Sequence, residues 1–247
     1  MKWMTSSSPQ LFLFVVLVSI SVGMGIAQAA SPDEVFLKRS AGLTELQPQG
    51  KPDPDLLPLW AALAGKASGP VSVTWSHLWG TPKAVYGTLS NPMEASEASA
   101  RQFLSSQAAL LKLEASLSGF TLASDRKTLM GQVYAFTQTA NGVPVHGGEL
   151  KVQFNRNGHI VGLTNTTVPS EKLPVVTPSL KAEQAIQAAQ GHIPPGLSER
   201  AEVDGPGPSA KLVIYGDTGT PMLAWEVTIH THGPAWQIFV HAQTGKG

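Results

Sequence analysis

The chain has 247 residues, with 17 basic and 17 acidic side chains and 42% hydrophobic residues. A neutral balance without a long basic run argues against nucleic acid as a partner, and the low charged fraction is not that of a disordered chain. The absence of cysteine excludes disulfides, thiolate metal ligands and a cysteine nucleophile.

In chain order, Lys2 gives a weakly positive start and Leu11 to Ile26 is an uncharged apolar run. Ala27-Gln28-Ala29-Ala30 supplies the small residues of a cleavage site, so residues 1–30 read as a secretory signal peptide cut after Ala29 or Ala30. The apolar run is shorter than the ~20 residues a spanning helix needs, and no stable membrane span is expected once it is removed. The expected location is secreted, periplasmic or extracellular. Residues 31–70 read as an irregular lead-in, broken by Pro48, Pro52, Pro54 and Pro58, with room for a short helix near Leu56 to Leu63.

Regular structure is expected from Val71. Val71, Val73 and Trp75 alternate on one strand face, and Ala84 to Leu89 returns after a Gly80-Thr81-Pro82 turn, which predicts a hairpin over 71–89. Asn91-Pro92 opens a helix whose face carries Phe103, Leu104, Ala108 and Leu111, with Asn91 or Ser96 as its cap. Val133 to Thr139 is β-prone. Asn141-Gly142 favours positive φ and reverses the chain. Leu150, Val152 and Phe154 then alternate with Glu149, Lys151, Gln153 and Asn155, and Asn157-Gly158 turns the chain into a return strand from His159. The spacing predicts a helix over an antiparallel meander, an α+β arrangement.

Pro169, Pro174 and Pro178 mark 168–178 as a linker. A second cycle follows: Ala182, Ala185, Ile186 and Ala189 on a helix closed by Gly191, then strands at Lys211 to Tyr215, Leu223 to Ile229 and Ala235 to Ala242. The fold expected is therefore α+β in two small domains, each a helix packed on an antiparallel sheet, at 71–167 and 179–247.

A search for chemistry yields little. No His-Glu-x-x-His segment is present. His230 and His232 alternate on a strand and could hold a metal pair, but a solvated strand end is the simpler reading. His146, beside Gly147-Gly148, reads as a loop or strand-edge histidine, and His159 as exposed after a hairpin turn. Asp217-Thr218-Gly219 occurs once, whereas an aspartic dyad needs two carboxylates. Nucleotide-binding glycine loops are missing. Asn165-Thr166-Thr167 is a glycosylation sequon. Trp225 and Trp236 read as packing residues with bonded indole N–H groups. Catalytic, cofactor-binding and metal-ligating residues are thus all expected to be none.

The stretch FTQTANGVPVHGGELKVQFNRNGHIVGLTN resembles the fungalysin/thermolysin propeptide (FTP) motif through Gln138, Asn141, Gly142, Pro144, Val145, Gly147 or Gly148, and Gly158. ARQFLSSQAALLKL is similar to that family's helix, and PVSVTWSHLWGTPKAVYGTL looks like the hairpin before it. PSLKAEQAIQAAQ, KLVIYGDTGTPMLAWEVTI and PAWQIFVHAQTGKG resemble the helix and strands of the PepSY module. The resemblance implies cystatin-like layers and a pro-region of a secreted zinc metallopeptidase, acting as intramolecular chaperone and inhibitor. The partner it implies is the metallopeptidase catalytic domain, in cis or in trans, and the zinc would belong to that domain. The alternative is a free-standing secreted module that inhibits proteases in trans or binds surface ligands. From its place at the expected junction, the segment His241, Ala242, Gln243, Thr244, Gly245, Lys246 and Gly247 is the part expected to face the partner.

Overall fold

The computed structural model describes residues 37–39, 50–193, 207–230 and 235–245. The signal region with Ala29 and Ala30, along with His232, Lys246 and Gly247, lies outside them. In chain order the elements are β1 (Leu37–Arg39), α1 (Leu57–Lys66), β2 (Ser72–Trp75), β3 (Pro82–Tyr86), α2 (Glu97–Ser106) and α3 (Ala108–Leu111). Then come β4 (Phe120–Thr128), β5 (Gly131–Ala140), β6 (Val143–Asn155), β7 (Ile160–Asn165), α4 (Ala182–Gln190), β8 (Ser209–Tyr215), β9 (Met222–Ile229) and β10 (Trp236–His241).

The expected 71–89 hairpin forms as β2 against β3, and β3 pairs onward with β7. The helix that follows differs from the expectation. Of the two expected caps it uses Ser96, so it starts later than Asn91-Pro92: the Ser96 hydroxyl accepts the Ser99 N–H at 3.2 Å and caps the first turn. Met93, in the approach, instead donates its N–H to the Gly158 carbonyl. The helix also breaks at Gln107, giving α2 and the one-turn α3, which Lys112 ends in the left-handed conformation (φ 56°). Leu104, Leu110 and Leu111 are buried from these two helices against Phe136, Leu150, Val152, Phe154, Ile160 and Leu163 of the sheet. Each such side chain contributes about 1.5–3 kcal/mol by leaving water.

The meander is β4-β5-β6-β7, all antiparallel. Its tight turn is as expected: Ala140 pairs Val143 across Asn141 (φ 48°) and Gly142 (φ 83°), the two positive values a two-residue hairpin requires. The period-2 reading of β6 also holds, since Leu150, Val152 and Phe154 are fully buried. Strand β4 was not expected. From Thr121 to Lys127 it is exposed on both faces, so no alternation marks it.

In the second half α4 packs on β8, β9 and β10, burying Ala185 and Ala189 against Val227, Ile229, Ile238 and Val240. Alanines suit this contact because they let the helix approach the sheet closely. At the start of α4, Gln184 reaches back to accept the Lys181 N–H at 2.9 Å. Gly191 ends α4 as expected, though in the right-handed conformation (φ −63°), so no positive φ demands glycine there. Strands β8, β9 and β10 are antiparallel neighbours, and β1 adds to the outer edge of β10.

The protein is thus α+β, with two helix-on-sheet layers. Three features tie the sequence together more closely than separate domains with loose connections. Strand β6 pairs with β8 in parallel at Val145 and Ile214, so the sheets join. The lead-in carries α1, and Leu56 and Leu63 enter the same core as the first sheet. Residues 168–178 are not a free spacer, because Val168 is buried (3% exposed) and held by Gln138.

Candidate functional site

The motif residues that stood out in the sequence are framework residues. Gln138 lies at a bulge in β5, between Thr137 and Thr139, which turns its amide inward. Its Nε2 donates to the Val168 carbonyl at 2.7 Å, and its Oε1 accepts the Val168 N–H at 2.9 Å. One side chain thereby replaces a strand partner for that backbone. Gly148 is required beside it, since a Cβ there would press on Val145 and approach the Gln138 Oε1 to 3.2 Å. The hairpin quoted above is therefore a stiff, internally satisfied scaffold.

Asn165 of the sequon is inward-facing in the folded chain. It is 3% exposed. Its Nδ2 donates to the Pro82 carbonyl at 3.1 Å, while its Oδ1 accepts from both the N–H and the hydroxyl of Thr167. The nitrogen a glycan would need is committed to β3.

The histidines separate into two kinds. His77, His192 and His230 are exposed. His159 is half-buried, its Nδ1 meeting the Ser90 carbonyl at 3.0 Å, which corrects the expectation of an exposed side chain. His146 is also not a loose strand-edge group. It projects from β6 onto the second sheet, edge-on to Phe239 at 4.7 Å and 5.9 Å from the Tyr215 ring. Its Nδ1 lies 3.5 Å from the Glu226 Oε2. Burial, with Asp217 nearby, pushes the Tyr215 phenol up to about 12. The sequence shows each strand's alternation but not that β6 and β8 pair, so this cluster could not be read from it.

The indoles differ from one another. Trp225 donates its N–H to the Leu180 carbonyl at 3.0 Å, as expected. Among the described residues the Trp236 Nε1, which is buried, has no hydrogen-bond partner, unlike the bonded indole expected. Among the described residues no group of three His, Cys, Asp or Glu side chains converges to hold a metal ion. A cleft of about 110 Å³ lies at the β6–β8 junction, lined by His77, Lys83, His146 and Asp217 among others. A second, of about 260 Å³, lies by Gly119, Gln138 and Asn141. Both are below the roughly 300–1,000 Å³ of typical small-molecule sites.

The terminal segment is partly committed to its own domain. Ala242 is fully buried, its N–H donating to Leu223 and its carbonyl accepting from Ser179 and Leu180. A Cβ on Gly245 (φ 69°) would meet Leu180 at 3.0 Å. Gln243 and Thr244 are the exposed residues of that turn.

The Fungalysin/Thermolysin Propeptide Motif matches residues 118–167, and the Peptidase propeptide and YPEB domain, PepSY, matches residues 179–246. The two matches follow one another along the chain. Similar curated proteins include Thermolysin of Alicyclobacillus acidocaldarius subsp. acidocaldarius, 27% identical over 195 residues, covering 74% of this chain and 34% of that protein. Thermostable neutral protease NprT of Geobacillus stearothermophilus is 27% identical over 206 residues, 76% of this chain and 36% of that protein. Neutral protease B of Bacillus subtilis (strain 168) is 28% identical over 116 residues, 46% and 21%. The chain spans about a third of the length of the first two relatives. Among solved structures, the Bacillus megaterium YpeB C-terminal domain superposes with a TM-score of 0.34 at 13% identity, covering 86% of this chain and 85% of that one. Among the described residues no helix is long and apolar enough to cross a membrane.

Proposed function

We propose that this chain is the pro-region of a secreted thermolysin- or fungalysin-like zinc metallopeptidase, acting as its folding chaperone and its inhibitor. The observation that carries the reading is the FTP motif and PepSY domain in tandem, on a chain whose likeness to thermolysin-type proteases extends over 195 residues, beyond the two motifs together. Physically, a preformed, rigid surface that binds the native-like state of a slow-folding protease stabilises that state by mass action. Covalent linkage raises the effective concentration of the inhibitor. Export is proposed through the 1–30 signal peptide, with cleavage at Ala29 or Ala30. Within the 241–247 segment, Gln243 and Thr244 are proposed as the exposed contact residues.

Two experiments test the reading. The coding sequence beyond codon 247 is expected to continue in frame into a segment with His-Glu-x-x-His. A chain from Ser31 to Gly247, added at micromolar concentration to the catalytic domain that frame encodes, is expected to slow peptide hydrolysis. It is also expected to raise the yield of active protease refolded from denaturant. A stop codon at that point together with no inhibition of thermolysin-type enzymes would overturn the proposal.

A further inference from the structure

Strand β4 pairs with β5, and among the described residues no strand covers its outer edge. It is nine residues long, and an exposed edge of that length is where another chain can add by backbone hydrogen bonding. Exposed large apolar side chains gather on this ribbon: Leu122 (38% exposed), with Leu129 (83%) and Met130 (70%) at its tip. Asp125, Arg126 and Lys127 are exposed between them.

The backbone fixes what the edge offers. The two-residue turn at 129–130 makes Thr128 and Gly131 its hydrogen-bonded closing pair. Alternation from that pair turns the N–H and C=O of Asp125 and Lys127 away from β5, onto the outer edge. The same alternation puts the Asp125 and Lys127 side chains on one face and Arg126 on the other. The Gln132 amide donates to the Asp125 Oδ1 and so keeps that carboxylate on its face.

We infer that β4 is a self-association edge, to which the β4 of a second copy of this chain adds antiparallel about a two-fold axis at Arg126. Identical antiparallel strands related by a two-fold axis are centred on a residue that opposes itself. Centring on Asp125 opposes two carboxylates, and centring on Lys127 opposes two ammonium groups. Centring on Arg126 sets Asp125 against Lys127 of the other copy, twice, and these are the hydrogen-bonded pairs that the edge provides. Leu122 of each copy then runs toward the Leu129–Met130 tip of the other, which takes apolar surface out of water. The cost is the Arg126 pair on the opposite face, whose long, exposed side chains repel one another through screening solvent. A lysine on an edge strand ordinarily keeps foreign strands off. Here the aspartate two residues away offsets that guard in the register of a second copy. The contact is isologous, so it closes at two copies. It concerns copies of this chain, so it stands or falls separately from protease binding.

Sedimentation equilibrium of the chain from Ser31 tests this. Wild type should show a monomer–dimer equilibrium in the micromolar range. Asp125→Lys and Lys127→Asp each turn both attractive pairs into repulsive ones, so each should raise the dissociation constant about tenfold. The double variant restores opposite charges across the axis and should return toward the wild-type value. A wild type that stays monomeric, or a double variant that associates no better than the singles, would overturn the contact. A substitution at the centre gives a second readout. The chain has no cysteine, and position 126 faces itself in a non-hydrogen-bonded pair with Cα atoms about 4.5 Å apart, within disulfide reach. Under mild oxidation Arg126→Cys should link into a covalent dimer several-fold faster than Val175→Cys, a position 73% exposed but off the ribbon. Equal rates would refute an axis at Arg126.

Discussion

Gln138 and Asp53 show two different ways in which one side chain holds a distant segment. Gln138 is 1% exposed and satisfies both backbone groups of Val168, thirty positions later. Gln138→Leu keeps the volume but leaves a buried N–H and a buried carbonyl unpaired, each costing about 1–3 kcal/mol. We expect urea denaturation to show a loss of about 2–4 kcal/mol; a loss below about 0.5 kcal/mol would mean that water replaces the amide. Asp53 accepts from the Lys112 Nζ at 2.6 Å and ties the lead-in to the end of α3. The Lys112 hydrogen bond, with that of the Asp55 N–H, holds the Asp53 carboxyl below the ordinary aspartate range. A lowered folded value means that the stabilisation is present above the unfolded value, about 3.9, and disappears as pH falls through the folded one. Asp53→Asn should therefore be less stable than wild type at pH 7, with the gap closing below about pH 4. A gap that persisted undiminished at pH 2 would place its origin elsewhere.

At the scale of elements, the hairpins are specified by their turns, and the turns differ in how much they tolerate. Gly142 (φ 83°) faces open space, so Gly142→Ala carries only the left-handed penalty, about 1–2 kcal/mol. Gly131 (φ 146°) starts β5 against the end of β6, and a Cβ there would overlap the Phe154 carbonyl oxygen. Gly131→Ala should cost clearly more than Gly142→Ala in denaturant midpoint, and equal costs would show that the Phe154 backbone yields. These elements also show what was legible in the sequence. The Asn141-Gly142 turn, β6, the Ser96 cap and α4 were readable because each follows from local spacing. β4 was not, because a ribbon exposed on both faces carries no hydrophobic period. The split at Gln107 was not either, because helical spacing continues through it while the backbone does not. In the 241–245 turn the burial of Ala242 was not readable, because it depends on Leu223, Ser179 and Leu180, contacts that no local pattern encodes.

For the molecule as a whole, the question is whether the halves behave as one body. A template is useful in proportion to its rigidity, because ordering that must occur on binding subtracts from affinity. At the β6–β8 junction the two halves share one apolar cluster. Ile214 sits at its centre, fully buried, paired with Val145 in the backbone and packed in the cluster with Val168, Leu223 and Ala242. Its cluster draws on both halves, so its truncation weakens the joint more than either separate core. Ile214→Ala should cost about 2–5 kcal/mol. Its distinguishing effect is on cooperativity: wild type should unfold in one transition, whereas the variant should show the PepSY half melting before the FTP half. The order follows from core size, since the FTP-side cluster buries Phe136, Phe154 and many leucines while the α4 layer rests largely on alanines. Calorimetry with tryptophan fluorescence checks this, because Trp225 and Trp236 report on the second half and Trp60 and Trp75 on the first. Coincident transitions in the variant would mean that the halves stay joined through Gln138 and Val168 alone, and that rigidity resides in the 168–178 connection more than in the sheet.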